Sequence, residues 1–254
     1  MKKEKPAAFN NLGLSYFEFG DYESAIESYT QAIVIDNSSV NLNNRGLAYY
    51  QDKKIMEAKT DFTQAIELEP DDPNSYFNRG NVFLNWKPDP DFNSAHKDYD
   101  RALDLAPKDV KLIHQKGLAY QIESEYIKSK TGEYSERLNE SAIKMYSIAL
   151  KYDSGFISSY HHLGVMYHRT CKYYDALMCF SNVLKKFNKD RTVYIARGKV
   201  FQDMENHQNA IEDFNYEIKF DNKLPEGYFL RAWSKFYLKR FHDSIKDFRQ
   251  AKSK

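Results

Sequence analysis

The residues best suited to chemistry gather in the middle of the chain. Four histidines, His114, His161, His162 and His168, fall close enough in sequence to consider a metal, since neutral imidazoles at neighbouring sites can ligate one. They have neither regular ligand spacing nor an accompanying carboxylate, so contact with a peptide or plain polarity is the better reading. The two cysteines, Cys171 and Cys179, show neither metal-ligand nor disulfide-framework spacing. Cys179 lies in apolar text and reads as core, whereas Cys171 follows His168-Arg169-Thr170 in a turn. The sequence contains no G-x-x-x-x-G-K-[ST], G-x-S-x-G or H-E-x-x-H motif and no EF-hand loop. The expectation is a protein that is not an enzyme and carries no cofactor or metal.

A second set of polar residues recurs. Asn43-Asn44-Arg45-Gly46, Phe77-Asn78-Arg79-Gly80 and Ala196-Arg197-Gly198 place polar residues before a glycine inside apolar text. Two positions before successive glycines stand Asn11, Asn44, Asn78, Gln115 and His162, and the series then stops at Ala196 and Leu230. A carboxamide offers both donor and acceptor, so a row of them suits an extended peptide backbone without reading its sequence. Each such bond contributes about 0.5–1.5 kcal/mol, so one is trivial and five orient a chain.

The arginines point elsewhere. Where arginine precedes the glycine or its alanine substitute (Arg45, Arg79, Arg197, Arg231), an aspartate follows before the next recurring aromatic: Asp61, Asp98, Asp213, Asp247. Where Leu12, Lys116 or Leu163 stands instead, the matching positions hold Ser28, Met145 and Cys179. The two positions change together, which predicts an Arg–Asp ion pair within each such unit. These pairs are read as structural.

The elements that must position these residues follow from self-comparison. Gly13, Gly46, Gly80, Gly117, Gly164, Gly198 and then Ala232 recur at intervals of 33, 34, 37, 47, 34 and 34 residues. An aromatic follows three residues after each glycine (Tyr16, Tyr49, Phe83, Tyr120, Tyr167, Phe201). Further on come triplets such as Ala25, Tyr29, Ala32 and Ala58, Phe62, Ala65. Spacings of three and four put these residues on one helix face, so each unit holds two amphipathic helices and a turn. Unit six departs, with Glu217 in the third triplet place and Ile218 one position late, which puts the end of its second helix in question.

The pattern LG…Y…A…Y…A in the first unit and RG…Y…A…F…A…P in the second resembles the tetratricopeptide-repeat family over nearly the whole chain. The expected units are 6–38, 39–72, 73–109 with a short insertion, 110–156 with a long insertion, 157–190, 191–224 and 225–254, with no separate capping helix. The resemblance implies an all-α, right-handed alpha-alpha superhelical solenoid whose first helices line a concave groove. It also implies that Asn11, Asn44, Asn78, Gln115, His162 and His168 face that groove. A similar asparagine ladder is used by the repeat domain of the O-linked N-acetylglucosamine transferase.

The two-carboxylate clamp that holds chaperone tails elsewhere in the family fails here residue by residue. Asn10 and Leu14, then Asn74 and Asn78, stand where its cations and asparagine belong, and the next register also fails, at Asn43, Leu47 and Gln115. Chaperone C-terminal tails are therefore not the expected partner. At the far end, Phe229, Leu230, Trp233, Phe236 and Tyr237 project inward together, an aromatic patch for a partner or for another copy of the chain. Trp86-Lys87-Pro88-Asp89-Pro90 must be a loop, and residues 121–140 lengthen both helices of unit four around a turn at Thr131-Gly132.

Lys+Arg of 37 against Asp+Glu of 36 gives a net charge of +1, which argues against nucleic acid and anionic membranes as partners. No apolar stretch suits a transmembrane helix, and the basic start MKKEK leads into no apolar run. The reading is a cytoplasmic scaffold that binds an extended peptide in its groove through Asn11, Asn44, Asn78, Gln115, His162, His168, Phe229, Trp233 and Phe236. The alternative is a structural subunit of a ciliary or transport assembly, located in the cilium, that uses its edges, insertion and chain ends.

Overall fold

The apolar stripes become helix faces throughout. The computed structural model describes the backbone of residues 4–254 and the side chains of residues 6–254. The described residues form fourteen α-helices and no strand: α1 (Glu4–Phe19), α2 (Tyr22–Ile35), α3 (Ser39–Gln51), α4 (Ile55–Leu68), α5 (Pro73–Leu84), α6 (Phe92–Leu105), α7 (Val110–Thr131), α8 (Glu136–Tyr152), α9 (Ile157–Arg169), α10 (Tyr173–Lys186), α11 (Arg191–Asp203), α12 (His207–Phe220), α13 (Pro225–Tyr237) and α14 (Phe241–Ser253).

Local chemistry sets the boundaries. Asp21, Asp72, Asp91, Asp190 and Asn206 each accept a backbone N–H of the following first turn, satisfying donors the helix cannot. Pro73 and Pro225 open α5 and α13, where no N–H is needed. The turn between paired helices passes through the left-handed region, at Gly20 (φ 88°) but also at Lys53, Cys171, Glu205 and Lys239.

The chain divides into two compact halves, residues 1–119 and 120–254, with α7 running through the division. In the first half α1 pairs with α2, α3 with α4 and α5 with α6, and α1, α3 and α5 touch in succession. In the second half α9, α11 and α13 pair with α10, α12 and α14, and these three first helices again touch in succession. Each half is an all-α stack of helix pairs, as the repeats require.

Each pair closes on one aromatic ring. Tyr29, Phe62, Tyr99, Tyr146, Phe180 and Phe214 are essentially fully buried, flanked by buried alanines such as Ala58 and Ala65. Burying each ring stabilises the stack by roughly 2–3 kcal/mol. The recurring glycine makes room for it: a Cβ at Gly46 would lie 2.7 Å from Phe62. In the last repeat Ala232 occupies that place, and Phe248 is only half-buried, resting against Phe229 and Trp233.

The insertions take the forms their residues suggest. Residues 85–91 leave helix after Leu84 as a loop, and α7 and α8 lengthen to 22 and 17 residues around Gly132 (φ 87°). The doubt over unit six is corrected, since α12 continues unbroken to Phe220 with Glu217 completely buried. Its carboxylate is held by Arg191 Nη1 at 2.9 Å, and the space for it comes from Gly227 in the next repeat.

Candidate functional site

The arginines form a three-way fork. Arg45 donates from Nε and Nη2 to the two oxygens of Asp61, each at 2.8 Å, and Arg79 does the same to Asp98. Arg197 grips Asp213 at 2.9 and 2.6 Å, and Arg231 grips Asp247 at 2.7 Å through both nitrogens. The aspartates are buried and the arginines partly so. The Asp61 hydrogen bond, working against burial, raises Arg45 above the usual guanidinium range, and Asp98 does the same for Arg79. Burial pushes the Asp213 carboxyl up despite Arg197.

Sequence reasoning missed the third prong. Each Nη1 reaches back to the preceding repeat: Arg45 to Thr30, Arg79 to Thr63, Arg197 to Ser181 and Arg231 to Asn215, at 3.2, 3.4, 3.3 and 2.7 Å. Lys116, which stands in the arginine place, instead meets Asp100 of the preceding repeat. The signal was present, because each partner directly follows the buried aromatic of the preceding unit. One guanidinium thus joins both helices of its own pair and the outer helix before it, with one bond from each of its three nitrogens.

The carboxamides behave differently. Asn44 Nδ2 donates to Asn10 Oδ1 at 3.0 Å, and Asn10 Nδ2 in turn donates to Asn41 at 2.8 Å. Asn78 Nδ2 points at Asn43 Oδ1 at 3.5 Å, and Gln115 Nε2 donates to Asn81 Oδ1 at 2.8 Å, an oxygen that also accepts from Tyr99. The amide nitrogens of Asn44, Asn78 and Gln115 are therefore turned toward the preceding repeat. Asn11, at the head of the series, is exposed. The structure thus brings Asn44, Asn78 and Gln115 into one repeating arrangement across α3, α5 and the first part of α7.

In the second half His162 Nδ1 lies 3.1 Å from Gln121 Oε1, with its ring stacked on Tyr146. His161 packs edge-on against His162 and Phe180, and burial pushes its imidazole down. His168 Nε2 meets Asp203 at 2.7 Å. In the first half, burial pushes His114 down to about 4. The described residues contain no group of three or more His, Cys, Asp or Glu placed to hold a metal ion. Cys179 is buried, and burial pushes its thiol up to about 12; Cys171 is exposed.

At the end of the stack, Phe229, Trp233 and Phe236 form a run of edge-to-face contacts at 6.3 and 5.8 Å, extended by Phe241 and Phe248. All three are exposed, Trp233 by 39%. No helix in the described residues is long and apolar enough to cross a membrane.

Comparison with known proteins supports the architecture. The family model described as TPR repeat matches residues 13–53 and 46–85. No curated protein matches the sequence. Among solved structures, a tetratricopeptide repeat protein from Parabacteroides merdae is 17% identical, with a TM-score of 0.67 covering 98% of this chain and 93% of its own. Pseudomonas aeruginosa pilF is 14% identical, with a TM-score of 0.72 over 89% of this chain and 96% of its own. YrrB, described as a TPR protein with an unusual peptide-binding site, is 17% identical, with a TM-score of 0.61 over 75% and 90%.

Proposed function

We propose, for a chain that is a tetratricopeptide-repeat protein of about seven units, a peptide-binding role within the general function of a protein-interaction scaffold. The finer reading is that the first helices hold an extended segment of a partner protein. The observation that carries it is the common orientation of Asn44, Asn78 and Gln115. Each spends its amide nitrogen on the preceding repeat, so its carbonyl oxygen remains to accept from a ligand. Internal bonds of that kind pre-orient the acceptors, which lowers the ordering cost of binding. Backbone N–H groups of an extended peptide present donors on alternating sides, the complement such a row requires. In the second half, His162 and His168 add polar contacts, and Phe229, Trp233 and Phe236 anchor an apolar part of the partner.

The test compares partner capture from native extract by wild type and by an Asn11/Asn44/Asn78→Ala variant of verified helicity. A partner lost from the variant supports the groove. Identical capture by both sends the search to the lengthened α7–α8 hairpin and the exposed aromatic end. These are the features that favour the second reading, a subunit of a larger assembly. The cytoplasm is the proposed location for the scaffold, and the cilium for the assembly subunit.

A further inference from the structure

The aromatic end has a chemical bias that an apolar anchor alone does not explain. Between α11 and α13 lies an open cleft of about 690 Å³, lined by Gln202, Asp203, Glu205, His207, Leu230, Trp233 and Tyr237. Its charged lining is acidic: Asp203 ends α11, Glu205 sits in the turn that follows, and neither lysine nor arginine contributes to the wall. One oxygen of Asp203 meets His168, and the Glu205 carboxylate has no hydrogen bond or ion pair among the described residues. Gln202 is committed to Leu230 O and Ser234 at 2.9 and 2.8 Å. The imidazole of His207 lies flat on Tyr237 at 4.7 Å between ring centroids, and Trp233 sits 6.3 Å from Tyr237.

We infer that this cleft receives a cationic side chain, a lysine or arginine, from the segment that the scaffold binds. The inference rests on the reading that the chain binds a protein segment, and names what one part of that segment carries. A purely apolar occupant would strip water from two carboxylates without replacing it, an unfavourable exchange. A basic side chain avoids that cost. Its methylene stem lies along Leu230, its cationic head meets the Trp233 and Tyr237 rings, and the carboxylates of Asp203 and Glu205 close over it. A second copy of this chain, whose last repeat carries eight lysines and arginines against three acidic residues, is the competing occupant, and dependence on protein concentration separates it from a bound segment.

The chain has two tryptophans, Trp86 and Trp233, so Trp86→Phe leaves Trp233 as the sole indole and as a reporter inside the cleft. The probes are a blocked, extended peptide carrying one central arginine and the same peptide with glutamine in its place. The expected result is a saturable change in Trp233 emission with the arginine peptide. Its affinity falls about tenfold for the glutamine peptide and, equally, for Asp203→Asn/Glu205→Gln protein. Both acidic positions are exposed, so that variant keeps its fold. Equal binding of the two peptides, or an unchanged affinity in the acidic variant, overturns the cation site and leaves segment binding standing. No response to either peptide also overturns the cation site, and the groove is then judged by its own asparagine variant. Emission that changes with protein concentration and not with peptide identifies the occupant as a second copy, which likewise overturns the inference.

Discussion

Gly227 lies directly against the carboxylate of Glu217, and a methyl group added at residue 227 would overlap Oε2 of that side chain. The two come from adjacent repeats and compensate each other: one place has too large a residue, the facing place has none. The corresponding places at the seam between the second and third repeats hold Ala65 and Ser75, both small and both buried. The Glu217 carboxylate is buried, and its Oε2 has no hydrogen-bond partner among the described residues. Burial pushes the Glu217 carboxyl up, against the pull of Arg191.

Gly227→Ala is therefore expected to destabilise the second half by about 1–3 kcal/mol, the usual cost of overpacking. Adding Glu217→Ala to that variant restores part of the loss, because the methyl then enters the space the carboxylate leaves. Urea denaturation of the two single variants and the double gives the coupling directly. Strict additivity would show that the two residues do not share the space.

The arginine fork predicts a graded series. Arg45→Lys keeps the charge but loses the paired bonds to Asp61 and the prong to Thr30, and is expected to cost about 1–3 kcal/mol. Thr63→Val removes the acceptor of the Arg79 prong, together with the hydroxyl's own bond to Lys59 O, and is expected to cost about 0.5–1.5 kcal/mol. Midpoints of chemical denaturation rank the two; a Thr63→Val loss as large as that of Arg45→Lys would refute the division of labour.

Acid tests the first half through His114. Burial holds its imidazole down to about 4 against an ordinary 6.5, so the folded state resists a proton the unfolded state accepts. Stability from this group is complete above about pH 6.5 and is lost as pH falls through about 4, to a limit of about 3 kcal/mol. His114→Gln is expected to flatten the pH dependence of the denaturation midpoint within that window. Parallel curves for variant and wild type would mean the histidine is not responsible.

The cysteines should separate in a thiol-labelling experiment. Cys171 is exposed and reacts in the folded protein, while Cys179, buried and with its thiol pushed up to about 12, reacts only on unfolding. One labelled site in buffer and two in denaturant is the expected count by mass.

The fold was readable because the repeat compares the chain with itself. The recurring glycine and its aromatic name both sides of the helix crossing, so the spacing of Gly46 and Phe62 already implies their contact. The Arg45–Asp61 pair was equally legible, since arginine and aspartate come and go together along the array. The prong to Thr30 was harder to see because hydroxyls and amides substitute for one another there, and interchangeable acceptors leave no sharp covariation. Glu217 misled for a related reason. Its compensation is the absence of a side chain at Gly227, and a glycine in a helix looks locally like a defect. The direction of the carboxamides lay beyond sequence, because which end of Asn44 faces Asn10 depends on the offset between neighbouring repeats.

The fork also says how this array comes apart. A solenoid's stability divides into what each repeat supplies alone and what each seam adds, much as spins in a row are set by their own field and by their neighbours. Arg45, Arg79, Arg197 and Arg231 put one side chain in both columns at once, since each holds its own hairpin shut and clasps the hairpin before it. At Leu163 the seam has no such clasp. Amide exchange will therefore proceed in blocks, with the repeats joined by arginine opening together and the leucine seam marking where one block ends.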